Sequence, residues 1–199
     1  TPAANSTEAV LSNIINQVLE VIQSESPANG ILMRGYAMHM ELPSITTRYG
    51  LNAVAICQYP MYRGLAKLVG MKATRSYENL EDCFELLRAS YNDHNFFFIH
   101  YKPTDAFGED GDFSAKTKAI ENIEALLEKI QALSPETLVI TGDHSTPCKM
   151  KAHSWHPIPF LIKSENIRPS HSPFNEYECQ RGTWPNLYSK DLMGLMLAN

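Results

Sequence analysis

Residues 137–162 read TLVITGDHSTPCKMKAHSWHPIPFLI and place an Asp-His pair between two apolar segments. The apolar TLVIT is typical of a buried strand, and Asp143 and His144 follow it directly. A strand that only packs into a core does not need Asp143, His144 and His153 just beyond its end. Carboxylate oxygens and imidazole nitrogens together are ligands of borderline divalent metals. This stretch therefore predicts a divalent-metal site at the end of a strand.

Apolar runs and helical patterns alternate along the rest of the chain. Strands are predicted at residues 31–33, 51–57, 71–76, 95–102, 137–141 and 157–162. Helices are predicted at residues 6–24, after the strand at 51–57, at residues 79–90 and 113–133, and at the C-terminus. Near-continuous apolar strands separated by helices predict an α/β fold, with a mostly parallel sheet that carries helices on both faces.

Ligands of such sheets bind in the crevice at the carboxyl ends of the strands. The loop in FFFIHYKPTDAFGEDGD supplies two more carboxylates, Asp105 and Glu109, after another strand. Each group also fits a simpler interpretation. Asp105 and Glu109 can be solvated residues of an acidic turn, and Asp143 can cap the turn that follows it. Taken together, the residues at the two strand ends predict a dinuclear metal site. Its ligands are Asp105, Glu109, Asp143, His144 and His153.

Composition narrows the class of protein. The chain has 199 residues, of which 44% are hydrophobic and 20% charged, which is an ordinary globular balance. A net charge of -5 without a long basic block gives no support to nucleic-acid binding. No apolar run approaches the roughly 20 residues that span a bilayer, and the N-terminal residues do not resemble a signal peptide. Four scattered cysteines favour a reduced, cytoplasmic protein over a disulfide-bonded one.

The motifs now described resemble one known family. They are ANGILMRG (28–35), TRYGLNAVAICQYPMYRGLAKLVGM (47–71), FFFIHYKPTDAFGEDGDFSAKTKAIENIE (96–124), VITGDHSTPCKMKAHSWHPIPFLI (139–162) and PFNEYECQRGTWPNLYSKDLMGLMLAN (173–199). They are similar to the C-terminal half of archaeal-type cofactor-independent (2,3-bisphosphoglycerate-independent) phosphoglycerate mutases, which are alkaline-phosphatase superfamily metalloenzymes. The resemblance implies that residues 1–28 are the tail of an inserted substrate domain or a linking helix. Residues 29–199 would then be the C-terminal part of an alkaline-phosphatase-like catalytic domain, incomplete without an N-terminal segment.

The resemblance also implies a role for each site residue. Asp143 and His144 correspond to a pair that helps to hold one metal, while Asp105, Glu109 and His153 correspond to the ligands of a second. Two cations, Arg34 and Lys102, correspond to groups near the phosphate, although an ion pair at the sheet edge explains Arg34 equally well. Glu109 stands where the family commonly has His. The additional carboxylate favours manganese or magnesium over zinc.

The activity implied is the interconversion of 3-phosphoglycerate and 2-phosphoglycerate through a phosphoserine intermediate, in glycolysis and gluconeogenesis. The family's nucleophilic serine has no counterpart in these residues, so we expect a fragment that is inactive by itself. Two alternatives remain open: a phosphatase or phosphonate hydrolase of the same superfamily, and a non-catalytic metal-binding domain. The product distinguishes them, because a mutase yields an isomer and a phosphatase yields inorganic phosphate. The ligand in each enzyme hypothesis is a small phosphorylated molecule.

Overall fold

The computed structural model describes residues 6–38, 40–184 and 187–199. The chain forms two compact units, residues 1–41 and residues 42–199. Residues 1–5 of the predicted 1–28 segment lie outside the described residues.

The first unit contains one helix, α1 (Thr7–Ile22), within its described residues. Ser6 caps it, since the Ser6 hydroxyl accepts a hydrogen bond from the Ala9 backbone N–H at 3.2 Å. The predicted helix at 6–24 is therefore confirmed. The predicted strand at 31–33 is wrong, because these residues have no regular secondary structure and Leu32 is fully exposed. An apolar run forms a strand only where a neighbouring strand completes its hydrogen bonds, and the described part of this unit offers none.

The second unit alternates helices and strands. Its helices are α2 (Ile45–Tyr49), α3 (Pro60–Leu68), α4 (Leu80–Ser90), α5 (Pro103–Asp110), α6 (Phe113–Ala132), α7 (Glu176–Cys179) and α8 (Leu192–Leu197), with a 3₁₀ turn at Ser189–Asp191. Its strands are β1 (Ala53–Cys57), β2 (Lys72–Ala73), β3 (Phe96–His100), β4 (Thr137–Thr141) and β5 (Phe160–Ser164). Apart from the run at 31–33, each predicted strand has a counterpart in this unit.

Strands β2, β1 and β3 form a parallel sheet in that order. This sheet confirms the α/β class. Strands β4 and β5 differ from a parallel arrangement, because they pair antiparallel. Antiparallel neighbours can be joined by a loop, whereas parallel neighbours need a crossover. Residues 142–159, which contain the Asp-His motif, form such a loop. Within it, Ser145 and Ser154 pair through an isolated antiparallel β-bridge.

The central strand β1 is buried along its whole length and divides the core into two clusters. On one face, Ile56 packs with Leu87 of α4 and Ile130 of α6. On the other face, Ala55 and its neighbours pack against α3. Full burial of an aliphatic side chain such as Ile56 stabilises the fold by about 1.5–3 kcal/mol. The predicted helices on both faces are thus confirmed.

Among the described residues, no helix combines the length and the apolar composition that crossing a bilayer requires.

Candidate metal centre

Helix α5 carries two of the five candidate ligands. The segment was predicted to be a loop, but it forms a helix that begins at Pro103, shortly after β3. The helix ends at Asp110, and Gly111 caps it in a left-handed conformation with φ of 76°. Asp105 and Glu109 are four residues apart, so the helix presents them on the same face. The sequence pattern of an acidic turn concealed this helix, because glycine at position 108 lowers the local helix propensity.

The other three candidate ligands lie on the loop at residues 142–159, which packs closely on α5. A Cβ atom at Gly108 would lie 2.3 Å from the Thr146 carbonyl oxygen, so only glycine permits this approach. The same carbonyl accepts a hydrogen bond from the Lys116 ammonium group at 2.6 Å. The loop is therefore fixed to α5 and α6 at Thr146, two residues beyond His144.

The five candidate ligands come together at this contact. His153 Nε2 lies 3.3 Å from Glu109 Oε1 and 3.6 Å from Asp105 Oδ1. His144 Nδ1 lies 3.8 Å from Asp105 Oδ1, and His144 Nε2 lies 3.5 Å from Asp143 Oδ2. The two imidazole rings are 3.8 Å apart between centroids. The five residues therefore form one continuous cluster, in which His144 lies beside both Asp143 and Asp105. Their division into two separate metal sites stays a prediction.

These donor atoms fit a divalent metal. Asp105, His144 and His153 each offer a ligand atom, and the three atoms lie within 4.8 Å of one another. Metal–ligand bonds of about 2.1 Å at tetrahedral angles place neighbouring ligand atoms roughly 3.4 Å apart. The separations at His153, 3.3 and 3.6 Å, match this spacing. Oxygen and imidazole donors suit zinc, manganese and related ions.

Lys102 is the cation nearest to the cluster. Its ammonium group forms an ion pair with Asp105 Oδ2 and lies 5.5 Å from the centroid of the Tyr59 ring. The hydrogen bond to Asp105 raises the pKa of Lys102. Partial burial opposes ionisation of Asp105, but hydrogen bonds from Lys102 and Thr146 outweigh it and lower the pKa of this carboxyl. At neutral pH the site therefore contains an ammonium group and a carboxylate in contact.

Tyr62 also belongs to the site, although it was not among the residues predicted from the sequence. Its hydroxyl donates a hydrogen bond to Asp143 Oδ2, and its ring stacks on His100 with 3.9 Å between centroids. Burial, together with this hydrogen bond, raises the pKa of Tyr62 to about 12, so the hydroxyl stays protonated and donates. Partial burial opposes ionisation of Asp143, but the bonds from Tyr62 and the His144 backbone N–H lower its pKa. One signal was available: Tyr62 follows β1 at the sheet edge where β3 also ends.

Thr146 is a second site residue that the sequence did not single out. Only 4% of it is exposed, and its hydroxyl contacts both Asp105 and His144. Arg34, by contrast, lies in the first unit, residues 1–41, where it is exposed. Its role in phosphate binding stays a prediction.

Comparison with known proteins gives the family. A sequence profile described as the metalloenzyme superfamily matches residues 20–199. Among curated relatives, a probable 2,3-bisphosphoglycerate-independent phosphoglycerate mutase of Thermotoga sp. (strain RQ2) is 45% identical over 193 residues, which are 96% of this chain and 48% of the relative. A protein of the same description from Thermus thermophilus is 41% identical over 201 residues, covering 99% of this chain and 50% of the relative. The chain spans about half the length of the curated relatives it matches.

Solved structures agree on the fold. The PH0037 protein from Pyrococcus horikoshii superimposes with a TM-score of 0.82 at 26% identity, over 99% of this chain and 58% of that protein. A cofactor-independent phosphoglycerate mutase from Thermoplasma acidophilum gives a TM-score of 0.66 over 95% of this chain and 50% of that protein. Its 17% identity supports the fold alone. Because the profile covers nearly all of these residues, the chain belongs to the metalloenzyme superfamily.

Proposed function

We propose that this chain forms part of the catalytic site of a 2,3-bisphosphoglycerate-independent phosphoglycerate mutase, which interconverts 3-phosphoglycerate and 2-phosphoglycerate. One observation carries the proposal: the cluster of Asp105, His144 and His153 occurs in a chain 45% identical to a probable mutase of this type. The same superfamily and the same donor chemistry suit transfer of a phosphoryl group from a small phosphorylated substrate. The proposed setting is glycolysis and gluconeogenesis in the cytoplasm.

The proposal includes two divalent metal ions. Asp143 and His144 would contribute to one site, and Asp105, Glu109 and His153 would form the other. The carboxylate of Glu109 beside His153 Nε2 favours manganese, with magnesium and zinc as alternatives, because hard cations prefer oxygen ligands. Bound metals would neutralise negative charge on the phosphoryl oxygens.

Residues of this chain would also position the substrate. The Lys102 ammonium group, held at the cluster by Asp105 and Tyr59, would supply a point charge to a phosphate oxygen. The guanidinium of Arg34 would supply a bidentate contact. We further propose that residues 29–199 belong to the catalytic domain and that residues 1–28 are the tail of an inserted substrate domain or a linking helix.

The test is an isomerase assay of the full-length gene product. The protein receives 3-phosphoglycerate and Mn²⁺, and formation of 2-phosphoglycerate is followed by coupling to enolase. We expect turnover in the wild type and a large loss in His153→Ala. The matched control is His94→Ala, because His94 precedes β3 and, among the described residues, its ring forms a hydrogen bond only with the Ser90 carbonyl oxygen. Release of inorganic phosphate without the isomer would instead identify a phosphatase. Metal binding without any turnover would indicate a non-catalytic domain.

A further inference from the structure

The Thr146 hydroxyl lies between two candidate metal ligands. It donates a hydrogen bond to Asp105 Oδ1, and its oxygen is 3.1 Å from His144 Nδ1. The side chain is almost completely buried, with 4% exposed. Its backbone carbonyl is held by Lys116, and its methyl group faces Gly108. The hydroxyl therefore has a fixed position relative to both ligands.

The single hydrogen of the Thr146 hydroxyl determines which group donates each hydrogen bond between Thr146, Asp105 and His144. A threonine hydroxyl has one hydrogen, and an ionised carboxylate can only accept. Asp105 is ionised because the Lys102 ammonium group contacts its other oxygen. The Thr146 hydrogen is thus committed to Asp105, and only a lone pair remains for His144. Nδ1 of His144 must then carry the hydrogen and donate it to Thr146.

A neutral imidazole carries a single N–H, so a hydrogen on Nδ1 leaves Nε2 with a free lone pair. Nε2 of His144 lies 3.5 Å from Asp143 Oδ2, which is longer than the 2.9–3.0 Å typical of an N–H···O hydrogen bond. Two acceptor atoms facing each other at this distance are arranged for a cation to bind between them.

We propose that Thr146 is a positioning residue that holds His144 in the Nδ1–H tautomer, so that Nε2 is the nitrogen presented to a metal. The inference rests on the metal site of the proposed function. It adds to that site a residue that binds no metal itself but orients two ligands from one hydroxyl. Such supporting hydrogen bonds commonly determine the tautomer of a ligating histidine.

The first test observes the tautomer directly, in the metal-free protein. The chain is labelled with ¹⁵N-histidine, and two-bond ¹H–¹⁵N correlations are recorded at a pH at which the imidazoles are neutral. His144 is assigned by the loss of its signals in His144→Asn. We expect a protonated Nδ1 and an unprotonated Nε2 in the wild type. A wild-type spectrum with the hydrogen on Nε2 would overturn the proposal.

The second test measures Mn²⁺ affinity by calorimetry. Thr146→Val keeps the shape of the side chain but removes the hydroxyl, and should weaken binding roughly 10–100-fold. Thr146→Ser retains the hydroxyl and should stay close to the wild type. Thr117→Val is the matched control, because within the part of the chain that the structure describes the Thr117 hydroxyl bonds only the Phe113 carbonyl oxygen in α6. Unchanged affinity in a folded Thr146→Val protein would refute the role.

These measurements are independent of mutase activity. If Thr146→Val does not fold, the tautomer of His144 in the wild type and the Mn²⁺ affinity of Thr146→Ser still decide the outcome. If the wild-type chain has the expected tautomer and binds Mn²⁺ but the full-length gene product does not isomerise phosphoglycerate, the proposed function fails and the role of Thr146 stands.

Discussion

Substituting Gly108 by alanine should damage the metal centre without touching a ligand. The new Cβ atom would lie 2.3 Å from the Thr146 carbonyl oxygen and 3.0 Å from both the Thr146 methyl carbon and Lys116 Nζ, whereas ordinary contacts begin at 3.4 Å. The carbonyl is backbone, so the loop must retreat from α5 by about 1 Å. Such overpacking costs about 1–3 kcal/mol. The better helix propensity of alanine returns about 0.5–1 kcal/mol.

The net loss of unfolding free energy in Gly108→Ala should therefore be about 0–2.5 kcal/mol. Functional sites tolerate displacements of only about 0.5 Å, so Mn²⁺ binding should weaken roughly 10–100-fold. The assays are urea unfolding and calorimetric titration with Mn²⁺.

Gly64→Ala provides the matched control. Gly64 is also helical, in α3, and a Cβ atom there meets nothing within 4 Å. This variant should gain about 0.5–1 kcal/mol and bind Mn²⁺ like the wild type. If Gly108→Ala is stabilised as much as Gly64→Ala and binds Mn²⁺ equally well, then close contact between the loop and α5 does not maintain the site.

Three further predictions concern single side chains. Glu109→Gln should weaken Mn²⁺ binding because it removes a negative charge 3.3 Å from His153 Nε2; unchanged calorimetric affinity would exclude Glu109 as a ligand. Cys57 and Cys83 should resist alkylation at pH 8 until urea unfolds the protein, because burial raises their pKa to about 11 and about 12, and rapid labelling of the folded chain would contradict this. The hydrogen bonds from Arg75 lower the pKa of Asp82 in the folded state, so ionised Asp82 stabilises the fold above a pH of about 3.8 and this stabilisation is lost as the pH falls further. In Asp82→Asn the urea concentration at the unfolding midpoint should therefore decrease less at acidic pH than it does in the wild type.

Local sequence patterns predicted those helices and strands whose side chains are buried at regular intervals. β1 is buried on both faces, so its apolar run was visible in the sequence, and the apolar positions of α6 recur at helical spacing because one face packs into the core. The run at 31–33 has the same apolar character but lacks a strand to pair with in the part of the chain that the structure describes. The helix α5 contains a glycine that the sequence marks as a breaker. Glycine is needed at this position because the Thr146 carbonyl oxygen approaches it closely, and this contact joins segments that are far apart in the chain.

The candidate site shows the same limit. Asp105, Asp143 and His144 could be named as candidate ligands from the sequence, because their residue types bind metals and their positions follow strands. Tyr62 and Thr146 are common residue types whose roles depend on contacts with residues 81 and 41 positions away. No local pattern encodes such distances, and only the packed structure reveals these two residues.

The candidate ligands are held in position in two different ways. Asp105 and Glu109 lie on α5, a helix whose backbone fixes their spacing and which packs along α6. The loop at residues 142–159 has little regular hydrogen bonding of its own within the described structure, apart from the bridge at Ser145 and Ser154. Side chains from other elements hold it instead: Tyr62 of α3 binds Asp143, and Lys116 of α6 binds the Thr146 carbonyl oxygen. The positions of His144 and His153 are therefore set by packing onto three helices, so a substitution at any of these contacts reaches the ligands without replacing one.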